Sequence, residues 1–262
     1  MPRPKGLLLD LDGVFYIGNR LLPGARETLE WIRGQNVPCR FLTNTSTKNS
    51  QELVAKLGNL GLKVETEEIL SAVSATKAYL ENQGRPRPRV ELLTRESARE
   101  EFAEFPPTEK GEADFVVIGD IGAAWSYELM NRVFRLLMNG AQLIAMHRNR
   151  FWEDEDGLRM DIGAFVAGLE YVTGQEAVII GKPSRDFFQL ALPQLDCEAA
   201  DAVMVGDDIQ SDIGGAKAQG LQACLVRTGK FRQDLLEDSE VQPDALLDSI
   251  ADLPGWWEKQ GE

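Results

Sequence analysis

Asp10-Leu11-Asp12-Gly13-Val14 sets two carboxylates two residues apart, directly after a short apolar run. Such a pair can divide labour: one carboxylate, kept ionised by a nearby cation, attacks as a nucleophile, and the other, protonated, serves as general acid. Gly13 lets the chain turn away beside them. The same Asp-x-Asp-Gly spacing also occurs in plain turns and in calcium loops, but the further oxygen ligands and the terminal Glu of a calcium loop are absent.

Three more polar clusters follow apolar runs. Thr43-Asn44-Thr45-Ser46 offers hydroxyl, amide and backbone N–H groups that suit a phosphate oxygen, or that simply cap a helix. Gly181-Lys182-Pro183-Ser184 carries an ammonium that can neutralise both a carboxylate nucleophile and a transferring phosphoryl group, or that can merely be solvated. Gly206-Asp207-Asp208-Ile209-Gln210-Ser211-Asp212 crowds three carboxylates, which is costly without a cation. Mg²⁺ takes a few carboxylate oxygens together with water and phosphate, so Asp10, Asp207 and a backbone carbonyl make a fitting site. Asp208 and Asp212 stand behind them as helix caps and supporting groups.

Apolar runs at residues 6–11, 38–42, 177–180, 202–205 and 222–226 read as buried strands, and helical patterns cover 24–33, 47–60, 76–83, 185–195 and 209–219. Gly84-Arg85-Pro86-Arg87-Pro88 breaks every regular pattern. A second set follows it: strands at 90–93, 115–119 and 143–146, an amphipathic stretch at 96–104, and helices at 126–138 and 161–173. The expected fold is α/β, a doubly wound parallel Rossmann-like sheet of residues 1–78 and 178–262 interrupted by an α/β cap at 79–177. Ligands of such sheets bind at the carboxyl ends of the strands, where the four clusters lie.

With 28 basic residues against 42 acidic ones, a net charge of −14 repels nucleic acid over most of the surface. No apolar run reaches the roughly 20 residues that span a bilayer. Residues 1–5 lead straight into a strand instead of a signal sequence, and the expected location is the cytoplasm. Cys39, Cys197 and Cys224 form no metal or disulfide pattern, and a single histidine, His147, excludes a multi-histidine metal site.

In their order, Asp10 to Val14, Thr43, Lys182, and Gly206 to Asp212 resemble the four motifs of the haloacid dehalogenase superfamily. The insertion between the second and third is similar to the NagD-like branch with a large α/β cap (subfamily IIA). Phe41-Leu42-Thr43-Asn44-Thr45, Gly181-Lys182-Pro183, Gly206-Asp207-Asp208 and Thr228-Gly229-Lys230-Phe231-Arg232 resemble its phospholysine phosphohistidine inorganic pyrophosphate phosphatases and haloacid dehalogenase-like hydrolase domain-containing members. Val14 stands where threonine is frequent, although valine is also usual in the capped branch.

The resemblance implies a phosphatase acting on a phosphorylated small molecule through an aspartyl-phosphate. Asp10 attacks phosphorus, Asp12 protonates the leaving group and later activates water, and Thr43 with Asn44 holds phosphoryl oxygens. Lys182 steadies nucleophile and phosphate, and Asp10, the Asp12 main-chain oxygen and Asp207 hold Mg²⁺. Homodimerisation through the cap is implied as well. A phosphoamino-acid or inorganic pyrophosphate phosphohydrolase is the nearest alternative. A catalytically silent protein that uses its cap for interaction is the alternative of another class, disfavoured because all four motif positions hold competent residues.

His147, beside Arg148, Asn149 and Arg150, either reaches the leaving group from the cap or sits in a surface loop. Trp256 and Trp257 are expected to pack a last helix. Residues 227–232 read as a structural turn in preference to an anion patch.

Overall fold

The computed structural model describes residues 3–106, 108, 111–154 and 157–260. Leu7, Leu8 and Leu9 are fully buried, and a strand without a polar face must run inside a sheet covered on both sides. Gly6–Asp10 does so, pairing in parallel with Ala202–Gly206 on one side and Cys39–Thr43 on the other. The parallel sheet continues through Gln222–Val226 to Ala245–Leu247 at one edge, and to Ile69–Ser71 at the other.

Because side chains alternate along a strand, neighbours in sequence feed opposite layers. Leu7, Leu9, Phe41 and Val205 pack against Leu29 and Ile32 of helix Ala25–Gly34, Leu53 of helix Ser50–Asn59 and Trp257 of helix Leu253–Glu258. Leu8, Leu42, Met204 and Leu225 pack on the other side against Phe187 and Phe188 of helix Arg185–Ala191. Each such side chain contributes about 1.5–3 kcal/mol by leaving water. Trp257 meets Trp31 edge to face at 6.0 Å, so the last helix is packed by its tryptophans as expected.

A second parallel sheet, in the order Val178–Ile179, Gln142–Ala145, Phe115–Ile118 and Val90–Leu93, forms the inserted α/β cap. Helices Tyr127–Met138 and Gly163–Thr173 bury Val133, Leu136, Val166 and Leu169 against one face of it.

The run at 177–180 requires a correction. It reads as a strand of the main sheet, yet Val178–Ile179 pairs with Gln142–Ala145 of the cap sheet. The expected boundary at residue 178 therefore moves beyond Ile179, and the main sheet resumes only at Ala202. An apolar run reports burial, and either parallel sheet satisfies it. The other boundary, at 78–79, falls inside the continuous helix Ala72–Glu81.

The structure adds further strands: Ile69–Ser71, Ala245–Leu247 and the antiparallel pairs Tyr16–Ile17 with Arg20–Leu21 and Phe151–Asp154 with Gly157–Met160. The helix expected at 209–219 is a π-helical turn, Ile209–Gly214, followed by Gly215–Ala218. The N–H groups of Asp212 and Ile213 both donate to the Asp208 carbonyl, at 3.0 and 3.2 Å, which widens the turn. Among the described residues no helix is long and apolar enough to cross a membrane.

Candidate active site

Three adjacent strands of the main sheet bring their carboxyl ends to one edge. Asp10 ends Gly6–Asp10, Thr43 ends Cys39–Thr43, and Asp207 follows Ala202–Gly206. Gly181 and Lys182 arrive from the cap sheet, where the N–H groups of Ile180 and Gly181 donate to Ala145 and Met146 carbonyls at 3.0 and 2.8 Å. The third cluster thus reaches the same edge from the opposite side.

Asn44 holds that junction. Its amide oxygen accepts from the Lys182 N–H at 2.9 Å and its amide nitrogen donates to the Lys182 carbonyl at 2.9 Å and to Asn149 Oδ1 at 3.3 Å. The Asn44 side chain thereby positions Lys182. Thr43 keeps its hydroxyl 2.8 Å from that of Thr45, inside the cavity.

The Lys182 ammonium is 2% exposed and lies 2.5 Å from Asp10 Oδ1 and 2.7 Å from Asp212 Oδ1. It also donates to the Leu42 carbonyl at 3.1 Å. Burial works against its charge, but Asp10 and Asp212 outweigh that and raise its pKa.

Asp10, Asp207 and Asp212 each offer an oxygen within 4.8 Å of the others, and all three residues are buried. Burial drives the Asp207 pKa well up, with Asp10 and Asp212 adding to it, and pushes Asp212 to about 6. Asp212, expected behind the site, is therefore part of the carboxylate cluster. Its Oδ2 also accepts from the Asp207 and Asp208 N–H groups at 3.1 and 3.0 Å. Asp208 keeps the expected capping role, accepting from Gln210 and Ser211 N–H at 2.9 and 3.0 Å.

Asp207 Oδ1 is buried without a hydrogen-bond partner, and its Oδ2 accepts from the Lys230 N–H at 2.7 Å. A Cβ added to Gly13 or Gly229 would overlap Asp207 Oδ2, so only glycine lets both loops approach. Hard oxygen donors, an orphaned buried carboxylate oxygen and an excess of negative charge fit a hard divalent cation.

Lys230 was missed in favour of a structural turn at 227–232. The segment does turn, with Thr228 donating to the Gly13 carbonyl. Yet Lys230 also lines the cavity, and although burial opposes its charge, Asp207, Asp208, Asp10 and Asp212 together raise its pKa. The sequence signal was Thr228-Gly229-Lys230, a glycine followed by a cation after a buried strand.

Asp12 projects its side chain into the cavity beyond the carboxylate cluster. Surrounding protein raises its pKa, while Lys56, Lys230 and Lys182 pull it down. A carboxyl group that holds its proton more firmly than usual beside ammonium groups is suited to proton transfer.

From the cap, His147 is buried and faces the cavity, which rules out the surface-loop alternative. Its Nδ1 accepts from the Asn149 N–H at 3.4 Å, which leaves the proton on Nε2, 3.4 Å from Ser46 Oγ. Burial lowers its pKa, with Asp161 opposing, so the ring is neutral at pH 7. Asn149, Trp152, Asp120 and Asp161 share the wall, and the cavity between the two sheets measures about 210 Å³.

Fold and site together define a capped α/β hydrolase with clustered carboxylates and a buried lysine at one sheet edge. The chain belongs to the haloacid dehalogenase-like hydrolase family. Residues 7–105 match the family description Haloacid dehalogenase-like hydrolase, and 179–253 match a second, HAD-hydrolase-like description. The chain is 37% identical over 243 residues to the human haloacid dehalogenase-like hydrolase domain-containing protein 2, covering 93% of this chain and 91% of that one. It is also 37% identical over 254 residues to phospholysine phosphohistidine inorganic pyrophosphate phosphatase of Rattus norvegicus, covering 95% and 92%. Among solved structures it resembles a p-nitrophenyl phosphatase from Archaeoglobus fulgidus, with a TM-score of 0.89, 30% identity and coverage of 97% and 100%. It also resembles a glycerol phosphate phosphatase from Mycobacterium tuberculosis in complex with magnesium, with a TM-score of 0.83, 27% identity and coverage of 96% and 76%.

Proposed function

We propose that this protein is a Mg²⁺-dependent phosphatase that hydrolyses a phosphorylated small molecule through a phosphoryl group carried on Asp10. The observation that carries the reading is the convergence of Asp10, Lys182 and the pair Asp207 and Asp212 from three distant segments on one buried point. Such a cluster is unfavourable for stability alone, and it suits an anionic substrate that arrives with a cation.

Asp10 attacks phosphorus, forming a new P–O bond as the bond to the leaving oxygen breaks, and Asp12 gives that oxygen its proton. Asp12, now ionised, takes a proton from water as the water oxygen attacks phosphorus, which releases phosphate and restores Asp10. Lys182 holds Asp10 aimed and stabilises negative charge beside it, and Thr43 donates to a phosphoryl oxygen. Asp10, Asp207 and the Asp12 carbonyl would hold Mg²⁺, with Asp212 beside them. The ion would supply charge neutralisation between carboxylates and phosphate.

The cap covers the side of the scissile bond that the main sheet does not reach, so His147, Asn149 and Trp152 are assigned to leaving-group recognition. Pairing of two copies through the cap belongs to the same reading and is supported by exposed Leu158, Met160 and Tyr171. Light scattering that gave a single-chain mass at every concentration would remove it. Three free thiols and the strong net negative charge support a cytoplasmic protein without nucleic-acid partners.

Purified protein with Mg²⁺, offered a panel of phosphorylated metabolites, should release inorganic phosphate from at least one of them. Failure across the panel, with a folded protein, would contradict the reading and favour a silent interaction protein.

A further inference from the structure

Beyond Asp12 the cavity is not closed. Its wall continues over Tyr16, Ile17 and Leu53 to two lysines, Lys48 in the loop after strand Cys39–Thr43 and Lys56 on helix Ser50–Asn59. The same two lysines line the outer groove that follows. Both are half-buried, and among the described residues neither takes part in an ion pair; of the other described lysines Lys5, Lys77, Lys182 and Lys217 do, and Lys63, Lys230 and Lys259 do not.

In a chain with 42 acidic residues, two unpaired ammonium groups along one cavity wall call for an explanation. Lys56 Nζ stands 4.0 Å from the centroid of the buried Tyr16 ring, which holds it in place without neutralising it. Its pKa is lowered chiefly by burial, with Asp12 opposing and Lys48 adding to the effect. Glu52 shares the outer groove, but its carboxylate accepts a hydrogen bond from Ser97 of the cap.

The cap also fixes the segment that carries Lys48. The Asn49 N–H donates to Ser97 Oγ at 3.1 Å, and the Ser50 N–H donates to Glu101 Oε1 at 2.6 Å. The position of Lys48 is therefore set by docking of the cap, as expected of a group that meets a substrate enclosed beneath it.

We propose that Lys48 and Lys56 receive a second anionic group, a carboxylate or a phosphate, carried by the leaving group of the substrate. The inference rests on the phosphatase reading and narrows it. The lysines lie on the Asp12 side of the cavity, where the leaving oxygen must be to take its proton. A leaving group with its own negative charge places that charge against two cations that form no ion pair with a protein carboxylate.

The test measures phosphate release by the intact protein with Mg²⁺ from inorganic pyrophosphate, 2-phosphoglycolate and 4-nitrophenyl phosphate. At least one of the first two should show a kcat/KM ten or more times that of 4-nitrophenyl phosphate. Lys56→Met and Lys48→Met should lower kcat/KM for that substrate at least tenfold more than for 4-nitrophenyl phosphate, mainly through KM, and Lys56→Arg should restore most of the loss. Preference for pyrophosphate identifies a second phosphate, and preference for 2-phosphoglycolate identifies a carboxylate. Hydrolysis of 4-nitrophenyl phosphate with no preference for either substrate that bears a second anionic group, or an equal loss on all three substrates in the variants, overturns the lysine site alone. No phosphate from any of them contradicts the phosphatase reading itself.

Discussion

Lys182 Nζ lies 2.5 Å from Asp10 Oδ1 across a sequence separation of 172 residues. The lysine enters from a strand of the cap sheet and the aspartate from the centre of the main sheet, so the contact joins the two parts of the fold at the proposed reaction centre. Asp10 and Asp212 together keep the buried Lys182 ammonium charged against the cost of its burial.

Lys182→Met should therefore damage both stability and rate. Removing one partner from a buried ion pair costs about 3–5 kcal/mol at neutral pH. The loss of an electrostatic stabiliser should lower kcat by on the order of 100-fold to 1000-fold. Chemical denaturation and steady-state kinetics on the same preparation check this, and wild-type stability with wild-type kcat would contradict the assigned role.

Chelation should abolish turnover, and added Mg²⁺ should restore it and raise the melting temperature. A cation that binds the native carboxylates of Asp10 and Asp207 and not the unfolded chain stabilises by mass action. Differential scanning fluorimetry over a Mg²⁺ series reads the shift without any substrate. A melting temperature independent of Mg²⁺ in verified metal-free protein would argue against the site.

His147 is the sole histidine, so its ring can be titrated by NMR without assignment. Burial lowers its pKa below the ordinary 6.5, and its Nδ1 already accepts from the Asn149 N–H. The unfolded chain then binds a proton that the native chain refuses. The stability from this residue is complete above about pH 6.5 and is lost as the pH falls towards the folded value. His147→Asn should flatten that part of the acid limb, whereas a ring titrating at or above 6.5 would be the opposite of the expected result.

His147→Ala and Asn149→Ala should reorder substrate preference while the Mg²⁺ requirement stays. Both side chains face the cavity from the cap, and neither belongs to the carboxylate cluster. The phosphoryl group is common to all substrates, so discrimination must come from the leaving-group side. A panel in which every substrate slows by the same factor would show that these residues act only on the common step.

Much of this site is legible in the sequence because a parallel sheet converts strand ends into neighbours. Asp10, Thr43 and Asp207 each follow a buried run, and the order of the strands places them together. Lys182 was legible as a site residue but not as an arrival from the cap, since Ala177 to Ile180 is as apolar as a strand of either sheet. The part of Asn44 in positioning Lys182 was not legible, because an amide can serve a phosphate or a backbone equally well and only the approach of Lys182 shows the backbone contacts. Lys230 and Lys56 were missed for a related reason. Their roles depend on distant contacts, with Asp207 and with Tyr16, that no local pattern records.

The central claim is that Asp10 carries the phosphoryl group, and it can be tested on the covalent species itself. In Asp12→Asn the acid–base residue is lost, and hydrolysis of the intermediate should slow more than its formation from a substrate with a good leaving group such as 4-nitrophenyl phosphate. Acid quenching followed by peptide mass spectrometry should then find one added phosphoryl group on the peptide containing Asp10, and none when Asp10→Asn is combined with it. A burst of 4-nitrophenol without any such adduct, or an adduct on another residue, would contradict the account.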